Sequence, residues 1–232
     1  MGKLNNKTKV RIPDKIYRWP LFKIQSSILI ISFFLLSCAH ENHQVSLESE
    51  NNISRDSLLN TYQFQNGDIV LRKGNSIESE TVSLLDNNGR YSHIGIVKIE
   101  NDTPFVIHIV PDSIETNVDY CLKQEINTFY SVENARFGSV LRLQEQNTQL
   151  SDSAAQRALK FYQDKVSFDE KYNLGTDQKM YCTELVWKAY RINQFDIIEG
   201  KISVSPIPLF KNKIILPSAF LNSGYLKEIY YF

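Results

Sequence analysis

Between residues 68 and 111 the chain carries three short apolar runs set apart by turn-forming residues: DIVLR, SHIGIVKIE and TPFVIHIVP. Runs of this length, rich in β-branched residues, predict strands rather than helices. The first follows Asn66-Gly67, a turn-prone pair. The second and third are joined at Glu100-Asn101-Asp102 and predict an antiparallel hairpin. GSVLRL predicts a further strand, and YLKEIYYF a last one at the C-terminus. Helical spacing recurs elsewhere. SIESETVSLLDNN opens at Ser76, a good N-cap, with Glu78 and Glu80 where the positive end of the helix dipole favours acids. Val82 and Leu85 are expected on its core side. SDSAAQRALKFYQDKV offers Ser151 or Ser153 as cap and sets Ala154, Ala158, Leu159 and Tyr162 on one face. YCTELVWKAYRI does the same with Leu185, Val186, Ala189 and Tyr190. A short turn of helix is expected at Pro217-Ser218. Strands and helices in similar amounts, without βαβα alternation, predict an α+β fold with a mainly antiparallel sheet.

A different apolar run lies near the start. Ile28 to Leu36 is nearly unbroken, too short to span a bilayer and suited to the core of a signal peptide. Ahead of it, residues 1–37 hold seven Lys/Arg against one acid, Asp14. The run ends in Leu35-Leu36-Ser37-Cys38, which resembles a bacterial lipobox and implies cleavage before Cys38 with a lipid on its thiol. Removing this segment changes the charge picture: the whole chain is neutral, but 19 basic and 25 acidic residues remain from position 38 onward. That mild acidity argues against a nucleic-acid partner. The following stretch is rich in Asn, Ser and Glu and carries His40 and His43 at i, i+3. In a polar tether such a pair is read as solvated side chains, not as a metal site. The expected organisation is a signal peptide over 1–37, a lipidated Cys38 with a flexible spacer over 38–60, and one folded domain over 61–232. The expected location is the bacterial cell envelope, anchored to the membrane through Cys38. A hydrophobic content of 42% over the whole chain, with 12 Tyr and 13 Phe, suits a protein with a packed core.

Few residues in the domain can carry nucleophilic or acid–base chemistry. It holds two histidines, His93 and His108, and two cysteines, Cys121 and Cys182. His93 opens one strand of the predicted hairpin and His108 sits in the other. A turn centred near Asn101 pairs residue numbers that sum to about 201 or 202, which makes the two imidazoles near neighbours across the ladder. Cys182 stands where a loop becomes a helix. A helix N-terminus stabilises a thiolate through its unsatisfied N–H groups, and a neighbouring imidazolium from His93 adds to this. His108 can then orient His93, and backbone N–H groups at the helix start can stabilise an acyl oxyanion. Two other fates for Cys182 stay open on these grounds. With Cys38 lipidated, Cys121 and Cys182 form an even pair in an oxidising compartment and can make a disulfide. A free cysteine can also serve as buried apolar filling.

NGDIVLRKG, YSHIGIVKIE, FVIHIVP and YCTELVWKAY, in that order, resemble the YiiX/YebB-like hydrolases, a circularly permuted branch of the NlpC-type papain-fold superfamily. SFDEKYN and ILPSAFLNS also resemble family segments, so the likeness runs from about Phe64 to Ser223. It implies a permuted papain-like α+β domain, with the sheet packed against the helix that carries the cysteine. It also implies Cys182 as nucleophile and His93 as general base. The third polar position is often a carboxylate in near relatives and a second histidine in the related acyltransferase-like branch; here it is His108. Tyr181, Thr183 and Glu184 flank the thiol and are candidates to contact substrate or the oxyanion, with Glu184 read first as a favourable first-turn charge. Asp68 is read as shaping its turn, and Cys121, in a stretch from Asp119 to Asn134 without a family motif, as non-catalytic. The expected function is cysteine hydrolysis through an acyl-thioester, on amide bonds of cell-wall peptides. The alternatives are acyl-lipid hydrolysis or transfer at the same site, and a non-catalytic envelope lipoprotein that only binds a partner. No metal or organic cofactor is implied.

Overall fold

The hairpin runs and the strands on either side of them join one sheet. The structure, a computed structural model, describes residues 55–57, 59–87, 89–111, 120–144, 147–205 and 212–232. The signal segment, Cys38, His40 and His43 lie outside the described residues. The sheet has six antiparallel strands in the order β10-β5-β1-β2-β3-β4. These are β1 (Ile69–Lys73), β2 (His93–Glu100), β3 (Thr103–His108), β4 (Leu122–Glu125), β5 (Phe137–Leu143) and β10 (Leu226–Tyr231). The helices are α1 (Ile77–Leu85), α2 (Ile126–Phe129), α3 (Thr148–Gln163), α4 (Cys182–Tyr190) and α5 (Pro217–Leu221). Two small two-stranded pieces complete it: β6 (Ser167–Phe168) with β7 (Lys179–Met180), and β8 (Ser203–Val204) with β9 (Lys213–Ile214).

Period-two alternation splits each central strand between two cores. Ile69 and Leu71 of β1, Ile94 and Ile96 of β2, and Ile107 of β3 pack beneath α3 and α4, with Ala154, Ala158, Leu185, Val186, Ala189 and Tyr190. Val70, Val97, Val106 and Val140 face the other way, against Ile126, Phe129, Tyr130 and Phe232. Burial on both faces explains why HIGIV reads as a continuous apolar run rather than a strict alternation. The Tyr190 hydroxyl donates to Gly67 O at 2.5 Å and ties the end of α4 to the turn ahead of β1.

Three expectations shift. The folded part begins before residue 61: residues 55–57 and 59–61 are helical, and Arg55 is buried, donating to Ala135 O at 2.6 Å. The last six residues assigned to the spacer are therefore not all tether. On α3 the cap is Asn147, whose side chain accepts from Leu150 N–H, so the helix starts ahead of both Ser151 and Ser153. On α1, Ser83 is the buried residue, receiving the Lys73 ammonium at 2.5 Å, while Val82 and Leu85 are only half-buried.

The hairpin register also differs by a step. Asn101 and Asp102 both adopt positive φ, 49° and 62°, so the connection is a two-residue turn that follows strand twist. Glu100 pairs with Thr103 and Ile96 with Ile107, one residue later than expected. Extending that register places His108 across from Gly95, not His93, and the two histidines become diagonal neighbours on one face. Gly95 makes this approach possible: a Cβ there would lie 2.4 Å from Val106 Cγ1 and 3.1 Å from His108 Cβ. Gly95→Ala is expected to cost about 1–3 kcal/mol, read as a lower urea midpoint at unchanged m-value.

Candidate active site

Cys182 occupies the first position of α4, after Tyr181 in extended conformation (φ −108°, ψ 171°). The β2–β3 ladder ends at Ile96–Ile107, while β1 stays paired with β2 as far as Arg72–His93. The start of α4 meets the sheet at this open end. There the backbone N–H groups of Thr183, Ile94 and Cys182 are near enough to favour the thiolate, which puts sulfur close to the residue that follows His93. Burial pushes the thiol up to about 11, against those N–H groups and the Arg72 cation, which favour the thiolate. Both cysteines are free; Cys121 is fully buried and burial pushes its thiol up to about 12. Among the described residues the alternative disulfide is not formed.

The sheet brings the two imidazoles into contact. His93 Nε2 lies 2.9 Å from His108 Nδ1, with the rings edge to face at 5.0 Å between centroids. Phe129 at the end of α2 packs on both, 5.8 Å from His93 and 5.3 Å from His108. Over the same ring sits Arg72, its Cζ 4.4 Å from the centroid and its Nη1 donating to Phe129 O at 2.7 Å. Arg72 is the cross-strand partner of His93. This cation and the aromatic shelf decide protonation. Burial first, then Arg72, then His108 hold His93 well below the ordinary imidazole value. Burial and Arg72 likewise bring His108 to about 3, with Gln124 opposing them. Both rings are neutral near pH 7. The expectation of an imidazolium beside the thiol is thus corrected: burial, with Arg72 adding to it, favours the neutral form of His93, and burial favours the neutral thiol. Burial brings Arg72 itself down to about 10, so it stays charged at neutral pH.

The three residues around the thiol have side chains occupied elsewhere. The Tyr181 hydroxyl accepts from Ile215 N–H at 2.8 Å, and Thr183 Oγ1 donates to Ile215 O at 2.7 Å. These two bonds stitch the ILPSAFLNS segment to the turn ahead of α4. Glu184 is fully buried, 3.0 Å from the Lys188 ammonium one turn along the helix. This turn therefore offers a substrate backbone N–H groups, and its side chains hold the turn. Asp68 sits before the start of β1, at the opposite end from Arg72, where it binds Arg142 through both oxygens at 2.7 Å and accepts from Gln65 N–H. It shapes its turn, as the sequence suggests. Arg72, Phe129 and Gln124 were not expected at the site. Phe129 and Gln124 fall in the stretch without a motif, and an arginine within a strand carries no signal until the register sets it opposite His93.

Burial pushes the Glu184 carboxyl up to about 7 from 4.5, against Lys188 and the Tyr181 N–H. Between those values the folded protein binds more protons than the unfolded chain, so this group's contribution to stability falls as pH rises and levels off above about 7. Urea denaturation at about pH 5 and about pH 8 is expected to show wild type losing about 2 kcal/mol relative to Glu184→Gln. The comparison cancels the opposing trend from His93 and His108, whose depressed values make stability rise with pH up to the ordinary imidazole range.

A cysteine opening a helix, packed at the open end of an antiparallel sheet whose earlier strands carry two bonded imidazoles, is the arrangement of a papain-like cysteine hydrolase in permuted order. The family model described as permuted papain-like amidase enzyme, YaeF/YiiX, C92 family, matches residues 63–230, and the chain belongs to that family. It is accordingly an enzyme of the cysteine peptidase and amidase type. The uncharacterized protein YiiX of Escherichia coli (strain K12) is 28% identical over 130 residues, which are 56% of this chain and 59% of that protein. The match thus spans less than two thirds of the relative. A crystal structure described as the metalloprotein yiiX from Escherichia coli O157:H7 aligns with a TM-score of 0.60 at 18% identity, over 73% of this chain and 98% of that one. At that identity the likeness concerns the fold.

Proposed function

We propose that this protein is a cell-envelope lipoprotein, anchored through Cys38, that cleaves amide bonds in cell-wall peptides by way of a thioester on Cys182. The observation that carries the reading is the His93 Nε2–His108 Nδ1 bond, with Cys182 at a helix start close to Ile94, the residue after His93. With its Nε2 engaged by His108, His93 has Nδ1 left for the thiol proton. As that proton moves to His93, Sγ attacks the carbonyl carbon, and the charge that develops on oxygen is met by N–H groups at the start of α4. The intermediate collapses, the amine departs with the proton from His93, and the acyl group remains on sulfur. Water, losing a proton to His93, attacks the thioester; collapse releases the carboxylic acid and returns the proton to the thiol. Moving the proton and the bond together suits a site whose cysteine and histidine are both neutral at rest.

The yiiX crystal structure is described as that of a metalloprotein. Among the described residues no group of three or more His, Cys, Asp and Glu side chains is gathered so as to hold an ion. A second substrate reading, an acyl lipid cleaved or transferred by the same thioester chemistry, is favoured by the histidine at the third position, His108. Incubating the full chain with soluble peptidoglycan fragments and, separately, with phospholipid vesicles, each against Cys182→Ala, tests the choice. Release of a new amine from the peptides that is lost in Cys182→Ala supports the amide reading. Fatty-acid release from the vesicles with no change in the peptides overturns it in favour of the lipid.

A further inference from the structure

Three buried polar atoms around the histidine pair make no ordinary hydrogen bond among the described residues: His108 Nε2, Gln124 Oε1 and Arg72 Nε. Gln124 lies on β4 opposite Val106, and His108, two residues beyond Val106 on β3, lies opposite Leu122. Cross-strand partners share a face, and so do residues two apart, so Gln124 and His108 project from one face on a diagonal. The Gln124 amide is near enough to favour protonation of His108 against burial and Arg72, as an acceptor directed at an imidazole does.

The proton count gives this contact a consequence. A neutral imidazole has one N–H and one lone pair. Across the 2.9 Å bond between His93 Nε2 and His108 Nδ1, one nitrogen donates and the other accepts. If His93 donates, its Nδ1 is a lone pair, and His108 carries its own proton on Nε2. If His108 donates, His93 is protonated on Nδ1 and cannot take a proton from the thiol. The second arrangement also turns a lone pair on His108 Nε2 toward the carbonyl oxygen of Gln124, acceptor facing acceptor in a buried space. The first gives that oxygen a hydrogen.

We propose that Gln124 is a positioning residue that holds His108 as the Nε2–H tautomer and thereby keeps His93 Nδ1 unprotonated, ready for the Cys182 thiol. This rests on the reading of Cys182 and His93 as the reacting pair. Without an acceptor, a His108 Nε2–H would be a buried donor left unbonded, which shifts the pair toward the unproductive arrangement.

The test uses the full chain labelled with 15N-histidine, in wild type, Gln124→Met, which keeps the volume without the acceptor, and Gln124→Glu, which keeps an acceptor. Two-bond 1H–15N spectra report the protonated nitrogen of each ring, and acylation by a p-nitrophenyl ester reports the thiol. Wild type and Gln124→Glu are expected to show Nε2–H on both His93 and His108. Gln124→Met is expected to show Nδ1–H on His93 and acylation roughly tenfold slower at unchanged KM. Unchanged tautomers in Gln124→Met while it remains folded, or Nδ1–H on His93 in wild type, would overturn the proposal. A tautomer shift in Gln124→Met with acylation equally slow in wild type and Cys182→Ala would support the hold of Gln124 on His108 and overturn the catalytic reading beneath it.

Discussion

Alanine at Cys182 is expected to abolish turnover, and alanine at His93 to slow it by roughly 10²–10⁴-fold, with Cys182→Ala as stable as wild type within about 1 kcal/mol and His93→Ala about 1–3 kcal/mol less stable, since His108 Nδ1 loses its partner. The two losses differ because the two groups do different work. Without sulfur there is no atom to carry the acyl group, and nothing else described near the start of α4 replaces it. Without His93 the N–H groups of Thr183, Ile94 and Cys182 still favour the thiolate, but burial pushes the thiol up to about 11, so little thiolate forms at neutral pH. Raising the pH should therefore restore part of the activity of His93→Ala, with the rate climbing toward that value. Wild type should not show this dependence, because its base is already unprotonated at neutral pH. The measurement is initial rate against pH for both proteins, alongside urea denaturation to show that the fold is retained.

The largest stability loss is expected at Asp68. Its carboxylate is buried, binds Arg142 through both oxygens at 2.7 Å and accepts from Gln65 N–H at 2.8 Å. Removing it strands the guanidinium and opens the turn that leads into β1, the strand between β2 and β5. Because Arg142 keeps some contact with solvent, Asp68→Ala is expected to cost about 3 kcal/mol, the lower end for breaking such a pair. Urea denaturation measures this directly. Activity per folded molecule should remain close to wild type, since Asp68 lies at the end of β1 away from Arg72. A catalytic loss as large as that of His93→Ala would mean that this ion pair is coupled to the site.

The architecture was largely readable from local pattern. HIGIVKIE and TPFVIHIVP form a hairpin because β-branched runs flank a turn, and YCTELVWKAY is a helix because Leu185, Val186, Ala189 and Tyr190 recur at helical spacing. What failed was whatever depended on a single residue's backbone angles or on distant neighbours. The hairpin register moved by one because Asn101 and Asp102 both take positive φ, which shortened the turn. The α3 cap moved because Asn147, not a serine, bonds the first turn. At the candidate site, the nearness of His93 to His108 and the place of Cys182 at a helix start were legible from pattern and order. Their protonation was not, since it depends on a guanidinium placed opposite His93 by strand pairing and on a phenylalanine from a stretch without periodicity. Gln124 belongs to the same stretch. A polar residue on an edge strand looks like solvent-facing decoration until the register turns it inward.

The step proposed for this site is acylation of Cys182 with His93 as its base. The most direct measurement is mass mapping of the full chain after brief reaction with a p-nitrophenyl ester and acid quench. An acyl adduct is expected on the peptide containing Cys182, absent in Cys182→Ala and strongly reduced in His93→Ala, with no adduct on Cys121. A Cys121–Cys182 disulfide in the untreated protein, or amide cleavage that persists in Cys182→Ala, would contradict it.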